Sequence, residues 1–462
     1  MITLKIIRKI KSQTKSVLLA GIFVPALGVL ASANSGPYKG LVAHEWGTFT
    51  SVQGGDGILL DWRPLETSRL PSFVYRWNKP GLGRVSTQGG GFGKTVISTL
   101  QRMETPVIYF YSDLSRTVDV SVKFPQGFIT EWYPQAAQIG PSIHLTPMPL
   151  TNVDGAAHNL ATDPGSAFVK DPKDSATAAS RVRWSHLEIL SANEGRDRMP
   201  SLPRDASGSH YFSARETDAN LLRLDSIAGT NAPELEKFIF YRGVGSFGTP
   251  LKVTAEGSDK ITLENTGTEA LESLFILTVH EHQGRFIEIS RIEGKQKGSV
   301  VLFSTRKDLS VEKLAKGLGE QMEKSLTRQG LYPKEAAAMV KTWRDSWFEE
   351  DGVRVLYILP RAWTDKTLPL EINPAPQELV RVMVGRAEVL TPAREEKLQE
   401  AITKATNGDL EAQHLAEAEL KKLGRFAEPA LTLLQKNASP ARTQKAWALL
   451  QNTRMAPPAV WE

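Results

Sequence analysis

The sequence predicts an α+β fold, in which a β-rich chain with sandwich-like modules leads into a mixed α/β segment and a small C-terminal helical tail. The first observation is a series of short apolar runs between glycine, proline and aspartate turns from residue 40 to about 303, which is typical of strands. The second is a change to helical spacing of apolar residues at 311–328 and 333–347. The third is a set of helical stretches after residue 391 that begin at prolines.

Residues 1–33 have the three parts of a cleavable secretory signal peptide. The apolar run 17–31 is followed by the small triplet Ala31-Ser32-Ala33 and is preceded by five bases and no acid, Lys5, Arg8, Lys9, Lys11 and Lys15. A membrane-spanning helix needs about 20 apolar residues, and this run is shorter and contains Pro25. We therefore expect cleavage after Ala33, export to the periplasm or the extracellular space, and no stable membrane insertion after cleavage.

Charge and cysteine content exclude several classes of function. The chain has 56 Lys and Arg against 51 Asp and Glu, a net charge of +5. Five of those bases lie in the signal peptide, so 51 bases face 51 acids in the mature chain. No basic face for nucleic acid is expected. The absence of cysteine excludes disulfides, thiolate zinc sites, a cysteine nucleophile and a lipidated cysteine anchor.

Changes of pattern divide the chain after the signal peptide into four segments. A β-rich N-terminal domain with long polar loops is predicted at 38–248. Five closely spaced short strands predict a β-sandwich-like module at 249–305. Helices and strands mix at 306–390, and the helical tail occupies 391–455.

The tail resembles one HEAT-like helical repeat. Thr391-Pro392 and Ser439-Pro440 place a capping residue before a proline at a helix start, and Gly424 marks a helix end. One such unit cannot bury its own apolar side, so it must dock on the rest of the chain or on a partner. The residues expected along the apolar seam are Leu415, Leu420, Leu423, Leu431, Leu434, Trp447 and Leu450.

Two glycine-rich strings imitate nucleotide-binding loops. Residues 88–95 (QGGGFGKT) have Gln88 where a phosphate loop needs its first glycine. Gly243-Val-Gly245-Ser-Phe-Gly248 follows a strand, but a proline and another strand come next instead of the required helix. We predict no nucleotide partner, and interpret both strings as turns where backbones approach closely.

Two histidine-containing strings indicate a possible site for a divalent metal. On a strand, residues i and i+2 point to the same side, so His280 and His282 could bind one ion. His186 and Glu188 have the same spacing on another predicted strand, and the two pairs together would complete a ligand set. An exposed strand face gives the same alternation, and that alternative stays open.

Two further strings are candidates for catalysis. His44 and Glu45 open the mature domain beside a tryptophan, where a histidine and a carboxylate could act as a general base or a ligand. Arg215, Glu216 and Asp218 concentrate charge between apolar pairs. A hydrogen-bonded core histidine and a solvated turn are the respective structural alternatives.

Aromatic residues raise the possibility of a polysaccharide partner, since exposed rings on a β-sandwich can stack on sugars. Trp343 and Trp347, however, stand at i and i+4 on a predicted helix, a spacing typical of core packing. The aromatic candidates are Trp132, Tyr133, Trp184, Trp343, Trp347 and Trp363.

Four strings resemble, in the same order, a family of exported bacterial proteins of unknown function. They are AHEWGTFTSV at 43–52, METPVIYFYS at 103–112, SARETDANLLR at 213–223, and the region 346–392 with SWFEEDGVRVLYILPR and LPLEINPAPQELVRVMVGRAEVLTP. The likeness covers most of residues 40–392. It implies an exported, multi-domain, β-rich protein, and it implies no activity or catalytic residue.

Two functional hypotheses follow. The first is a non-enzymatic binding or assembly protein of the cell envelope, with a protein or polysaccharide partner. The alternative is a metal-assisted hydrolase acting on an envelope or extracellular substrate, in which His280, His282 and His186 converge, joined by His44 and Glu45.

Overall fold

The fold is that of a computed structural model, which describes residues 40–64, 70–77, 99–140, 143–144, 169–170, 180–205, 209–225, 232–256, 260–301, 308–406, 410–435, 444, 446, 448 and 449. The strands are β1 (Leu41–Gly54), β2 (Leu59–Leu60), β3 (Tyr75–Arg76), β4 (Gln101–Ser112), β5 (Arg116–Phe124), β6 (Gly127–Tyr133), β7 (Gln138–Gly140), β8 (Ile143–His144), β9 (Val169–Lys170), β10 (Ser180–Ile189), β11 (Leu222–Leu224), β12 (Glu234–Glu236), β13 (Ile239–Gly245), β14 (Leu251–Glu256), β15 (Lys260–Asn265), β16 (Leu271–His280), β17 (Gln283–Ile292), β18 (Lys297–Val301), β19 (Leu309–Ser310), β20 (Gly352–Ile358), β21 (Leu370–Asn373) and β22 (Glu378–Leu390). The helices are α1 (Ala192–Arg196), α2 (Val311–Arg328), α3 (Pro333–Arg344), α4 (Arg361–Thr367), α5 (Pro392–Thr406), α6 (Leu410–Leu423) and α7 (Ala427–Gln435).

A large mixed sheet organises the molecule. Its described strands run in the order β19-β17-β16-β20-β22-β1-β4-β13-β6-β3, with β2 paired to β1. The central strand β1 pairs in parallel with β22 from Val42 to Gly54 and antiparallel with β4. All fourteen residues of β1 are buried, because both faces of the sheet are covered.

The two faces of the large sheet carry different layers. One face packs on the sheet β12-β11-β10-β5-β21 and on β14-β15-β18, and Phe49 and Trp184 lie in the apolar core between them. The opposite face packs on α2 and α3, and Trp46, Leu318 and Met339 lie in the apolar core between them. Alternation along β1 sends successive side chains to these two cores. The α+β fold is therefore confirmed, with one sheet layer stacked on the large sheet and a helical layer on its other side.

Strand pairing crosses the predicted segment boundaries. The large sheet combines β1, β4 and β13 from 38–248, β16 and β17 from 249–305, and β20 and β22 from 306–390. The predicted module at 249–305 is divided, because β14, β15 and β18 form a separate three-stranded sheet. Strand pairing among the described residues therefore runs across the positions 248/249 and 305/306.

The helical tail docks on its own chain. Helices α5, α6 and α7 share an apolar core with Val52, Leu60, Trp62 and Leu390 from the end of the large sheet. The predicted seam is correct for Leu420, Leu423 and Leu431, but Leu415 is 57% exposed because it lies on the outer side of α6. The side chains of Leu434, Trp447 and Leu450 fall outside the described residues. Among the described helices, none is both long and apolar enough to cross a membrane.

Candidate functional site

The first predicted catalytic pair is separated by the sheet. His44 and Glu45 are adjacent on β1 and both are fully buried. Because side chains alternate along a strand, His44 enters the helical layer and Glu45 faces the opposite sheet layer. This arrangement gives no support to a joint role for the two side chains, and each has partners from distant parts of the chain.

His44 is bound by a carboxylate that the sequence analysis did not select. Its Nδ1 lies 2.8 Å from Oε2 of Glu335, at the third position of α3. The same carboxylate accepts hydrogen bonds from the Tyr111 hydroxyl (2.7 Å) and the Tyr332 backbone N–H (2.7 Å). An ionised carboxylate only accepts hydrogen bonds, so Nδ1 of His44 is the donor in this contact.

Aromatic rings enclose this histidine. The Tyr332 ring lies against His44 at a tilt of 37° with ring centroids 4.3 Å apart, and Tyr111 approaches edge-on at 5.5 Å. The buried Nε2 of His44 has no hydrogen-bond partner among the described residues. The arrangement matches the alternative of a hydrogen-bonded core histidine, with one nitrogen atom unused.

Glu45 forms a buried ion pair on the other face of the sheet. Its Oε2 accepts a hydrogen bond from Nε of Arg381 at 2.6 Å, and its Oε1 accepts one from the Tyr241 hydroxyl at 2.5 Å. Arg381 also donates to Asp365 and to the Leu368 carbonyl, each at 2.7 Å. Glu45 therefore links the central strand to β13, to β22 and, through Arg381, to the α4 region.

Arg215 points inward and is held by a second buried carboxylate. It donates to Glu236 through Nη2 (2.7 Å) and Nε (2.9 Å), and Glu236 also accepts from the Tyr211 hydroxyl (2.9 Å). The guanidinium lies 4.9 Å from the ring centre of Phe212 and 5.7 Å from that of Tyr211. Such cation–π contacts add to the ion pair.

Tyr109 connects the histidine cluster to the arginine cluster. Its hydroxyl donates to the Ala214 carbonyl at 2.6 Å, beside Arg215. Burial raises the pKa of Tyr109 well above its usual value, and the charges of Glu335 and Glu236 raise it further. Tyr109 is also the register partner of His44, so it lies next to both clusters.

Glu216 and Asp218, the other two charged candidates of the 215–218 string, lie at the surface. Glu216 pairs with Lys341 and Asp218 with Lys334, each at 2.6 Å, with all four side chains more than half exposed. Both lysines belong to α3, so the pairs fasten the 213–218 segment to that helix. The predicted catalytic role of Glu216 and Asp218 is not supported, because these contacts are those of a solvated surface.

The string His280-Glu281-His282 forms a hairpin turn and not a continuous strand. Glu281 and His282 have positive φ angles, 49° and 63°, and they join β16 to β17. A two-residue turn of this kind matches the right-handed twist of the flanking strands. His280 and His282 therefore do not share a strand face as the metal hypothesis required, and both are exposed.

His186 and Glu188 lie elsewhere, in the smaller sheet. His186 has φ 56° at an irregularity between Trp184 and Leu187, and its backbone N–H donates to Asp119 at 2.8 Å. Glu188 pairs with Arg223 at 2.8 Å. Within the described ranges no three His, Asp or Glu side chains are placed to hold a metal ion. The prediction that the four residues converge on one divalent metal is wrong.

The second glycine string belongs to a strand. Gly243 and Gly245 lie in β13, where a side chain on Gly243 would come within 2.2 Å of the Phe128 carbonyl oxygen. The prediction that two backbones approach closely at Gly243 is therefore correct, but the backbone there is a strand and not the expected turn. Residues 88–95 lie outside the described part of the chain, so that interpretation remains a prediction.

Most of the aromatic candidates for sugar stacking are buried. Trp132, Trp184 and Trp347 are fully inaccessible and Tyr133 is 3% exposed. Trp343 and Trp347 stack on each other with centroids 6.4 Å apart, as core packing predicts. Rings buried in this way have no free face for a sugar.

A buried ionic cluster on the helical side of the sheet was not predicted from the sequence. Arg354 on β20 donates to Glu388 at 3.0 Å, and Arg386 on β22 donates to Glu388 (3.1 Å) and to Glu350 (2.6 Å). Gly352 is required beside them, since a side chain there would meet the Glu388 carboxylate at 2.4 Å. The only sequence signal was charge alternating with apolar residues, which is also the pattern of a solvent-facing strand.

Comparisons with known proteins show no family. No protein-family model matches the chain, and no curated protein matches its sequence. Solved structures that align with it include the yeast delta-COP-I mu-homology domain, alone (TM-score 0.23) and complexed with a Dsl1 WxWxV peptide (TM-score 0.27). Both are 9% identical and cover 76% of this chain and 98% of their own. Scores this low carry no argument about function.

Proposed function

We propose that the protein is an exported, non-enzymatic binding or assembly protein of the cell envelope. The observation that carries this proposal is the use of the candidate catalytic groups. Each of them is held by another charged side chain of the same protein. The pairs are His44 with Glu335, Glu45 with Arg381, Arg215 with Glu236, Glu216 with Lys341, and Asp218 with Lys334. A general acid or base must reach its substrate, whereas these side chains hold strands and helices together.

Export is supported by the basic, apolar and small-residue parts of 1–33. The partner that we favour is a protein and not a polysaccharide. The reason is the burial of Trp132, Trp184 and Trp347, which removes most of the rings that could have stacked on sugars. The metal-assisted hydrolase has less support, because His186 and the His280–His282 turn lie in different sheets.

Export is tested with the full-length chain in a bacterial host. We expect a periplasmic or secreted product that begins at Asn34, and a cytoplasmic product when residues 1–33 are deleted. Mass spectrometry of each cell fraction measures both. Recovery of the uncleaved chain from the cytoplasm would contradict export.

Binding is tested by chemical crosslinking in intact cells, comparing the wild type with a Glu216→Gln, Asp218→Asn double variant. These changes break only exposed pairs, so the same discrete adducts are expected in both. A hydrolase using these carboxylates would instead lose its activity in the double variant. Stoichiometric zinc, manganese or iron in protein purified without chelator, together with an absence of adducts, would overturn the proposal in favour of the metal-assisted hydrolase.

A further inference from the structure

Strand β17 is the last long strand at one end of the large sheet, and most of its outer edge is unpaired. Strand β19 pairs with it only at Gln283 and Gly284. No other described strand pairs with β17 on that side, so the edge from Arg285 to Ile292 is open over about 26 Å at the usual rise per residue. At the opposite end of the same sheet, β3 has only two residues. An unpaired edge of this length is a template for pairing with another chain.

Alternate residues of β17 direct their backbone groups to this edge. The Val311 N–H donates to the His282 carbonyl at 2.9 Å across it. Because hydrogen-bonded residues alternate along an antiparallel strand, every second residue after His282 also faces outward. Beyond β19 these residues are Phe286, Glu288 and Ser290. Among the described residues, none bonds to their N–H and C=O groups on that side.

Strand β14 shows how an edge is covered elsewhere in the protein. Its Val253 N–H donates to the Gln53 side chain, and its Ala255 N–H donates to the Gly55 carbonyl. Proteins that expose an edge commonly protect it with proline, lysine or a bulge. Strand β17 has no proline or lysine, and it keeps one register with β16 along its whole length. Its edge is therefore open and regular enough to accept another strand.

The side chains along the edge offer both apolar surface and a charge. Phe286, Ile287 and Ile289 are only partly buried, so some of their surface stays available to a neighbouring strand. Glu288 stands among them, is exposed, and forms no ion pair with a described side chain. Directly opposite residues on paired strands have side chains in contact. The residue of an added strand opposite Glu288 would therefore meet an uncompensated carboxylate.

The charges of the edge favour a basic occupant. The charged side chains of β17 and their ion-pair partners are two arginines and four carboxylates, a net charge of −2: Arg285 with Asp308, Arg291 with Glu272 and Glu293, and Glu288. A second copy of the chain is disfavoured, because a two-fold antiparallel pairing centred on this edge sets Glu288 opposite its own copy. Like charges directly opposite each other destabilise a pair of strands.

We propose that the outer edge of β17 binds an extended segment of a partner protein as an added strand. A lysine or arginine of that segment lies opposite Glu288, and apolar residues lie opposite Ile287 and Ile289. Main-chain hydrogen bonds to Phe286, Glu288 and Ser290 supply affinity, and the side chains at alternate positions supply selectivity. This inference rests on the binding role proposed above and names its surface and the chemistry of the partner.

The test measures the binding of two synthetic peptides to the full mature chain by fluorescence anisotropy. The first, TVTVKVTVT, has one lysine among alternating threonines and valines, and the second has glutamate in place of that lysine. We expect saturable binding with a preference of about five-fold for the lysine peptide, because opposite charges across a strand pair attract and like charges repel. Equal affinities, or no binding of either peptide at millimolar concentration, would overturn the proposal.

Variants of two exposed residues locate the binding. Ser290→Pro removes an outward N–H but keeps the hydrogen bonds to β16, so it should abolish binding of both peptides, whereas Ser290→Ala should retain it. Glu288→Lys should reverse the preference to the glutamate peptide, and this reversal decides the question if Ser290→Pro does not fold. Unchanged binding by folded Ser290→Pro, or an unchanged preference in Glu288→Lys, rejects the edge.

Crosslinking in intact cells separates failure of this inference from failure of the binding role. Adducts that form with the wild type and disappear in Ser290→Pro support the edge as the partner's surface. Adducts that persist in Ser290→Pro leave the binding role standing and reject the edge. No adducts with the wild type would reject the binding role itself. Wild-type dimers in sedimentation that Ser290→Pro abolishes would identify a second copy as the occupant and reject a partner protein.

Discussion

His44 on β1 and Glu335 on α3 are 291 residues apart in the sequence, and their side chains meet at 2.8 Å with neither exposed to solvent. The contact fixes the N-terminal end of α3 against the centre of the large sheet. Because Tyr111 and the Tyr332 backbone use the same carboxylate, several elements depend on one buried group. The histidine string selected as catalytic is thus part of the framework that holds the helical layer.

Replacement of that carboxylate should destabilise the fold strongly. Glu335→Ala leaves His44, Tyr111 and the Tyr332 N–H without their acceptor, and we expect a loss of about 3–5 kcal/mol in the free energy of unfolding. Lys334→Ala is the matched control on the adjacent residue. It breaks an exposed pair with Asp218 and should cost less than about 1 kcal/mol. Urea denaturation measures the free energy of unfolding of both variants. Equal losses would contradict the role of the Glu335 carboxylate as a buried acceptor for several elements.

The two sides of α6 should respond differently to truncation. Leu420 is 1% exposed in the core of the tail, and Leu415 is 57% exposed on the same helix. Leu420→Ala should lower the free energy of unfolding by about 2–5 kcal/mol, because it removes buried apolar contacts and leaves a cavity. Leu415→Ala should change it by less than about 0.5 kcal/mol. A comparable loss in Leu415→Ala would mean that this side chain is covered in the folded protein.

The β16–β17 turn should be improved by residues that favour positive φ. Glu281 and His282 adopt φ 49° and 63°, which are unfavourable for residues with a Cβ atom. The double change Glu281→Asn, His282→Gly supplies the preferred pair for this turn and should stabilise the fold by about 1 kcal/mol. His280→Gly, at the end of β16, should instead destabilise it by about 0.5–1 kcal/mol. The melting temperatures of the wild type and the two variants measure these effects. A lower melting temperature in the double variant than in the wild type would exclude this turn geometry.

Lys237 gives a prediction about pH. Burial lowers the pKa of this ammonium below its usual value of 10.5, and the charge of Lys334 lowers it further against the opposing effects of Asp218 and Glu236. Between the lowered pKa and 10.5 the unfolded chain binds more protons than the folded one, so the stability contributed by this group rises with pH. Below the lowered pKa the unfavourable effect of the buried charge is complete.

Lys237→Met should therefore increase the free energy of unfolding near pH 7, and this gain should shrink as the pH rises toward 10. The bond from Lys237 Nζ to the Thr217 carbonyl is lost, which reduces the gain. Lys341→Met, at a side chain 58% exposed, is the control and should show no such trend. Urea titrations at pH 7 to 10 measure the difference from the wild type. A constant difference across that range would show that Lys237 does not titrate differently on folding.

Local pattern in the sequence predicted the elements well. The helix expected at 311–328 occurs as Val311–Arg328, and the helical tail expected from residue 391 begins with Pro392–Thr406 and Leu410–Leu423. Capping residues, prolines and apolar spacing act within a few residues, so they can be read without knowledge of the tertiary fold. The same applies to the α+β class and to Leu420 and Leu423 in the apolar seam of α6, although Leu415, predicted in the same seam, is exposed.

The neighbours of each element were decided only by the tertiary structure. Alternation along a strand shows which residues share a face, but not which strand lies beside it, and β1 pairs with β22 across more than 300 residues. The same limit hid the partners of His44 and Arg215, and made the buried Arg386 and Glu388 look like surface charges. The sequence determined the local geometry of the elements, and the pattern of residues 1–33 predicts export. Which charges are buried together depended on contacts between distant residues, because burial is a property of the packed chain and not of any one segment.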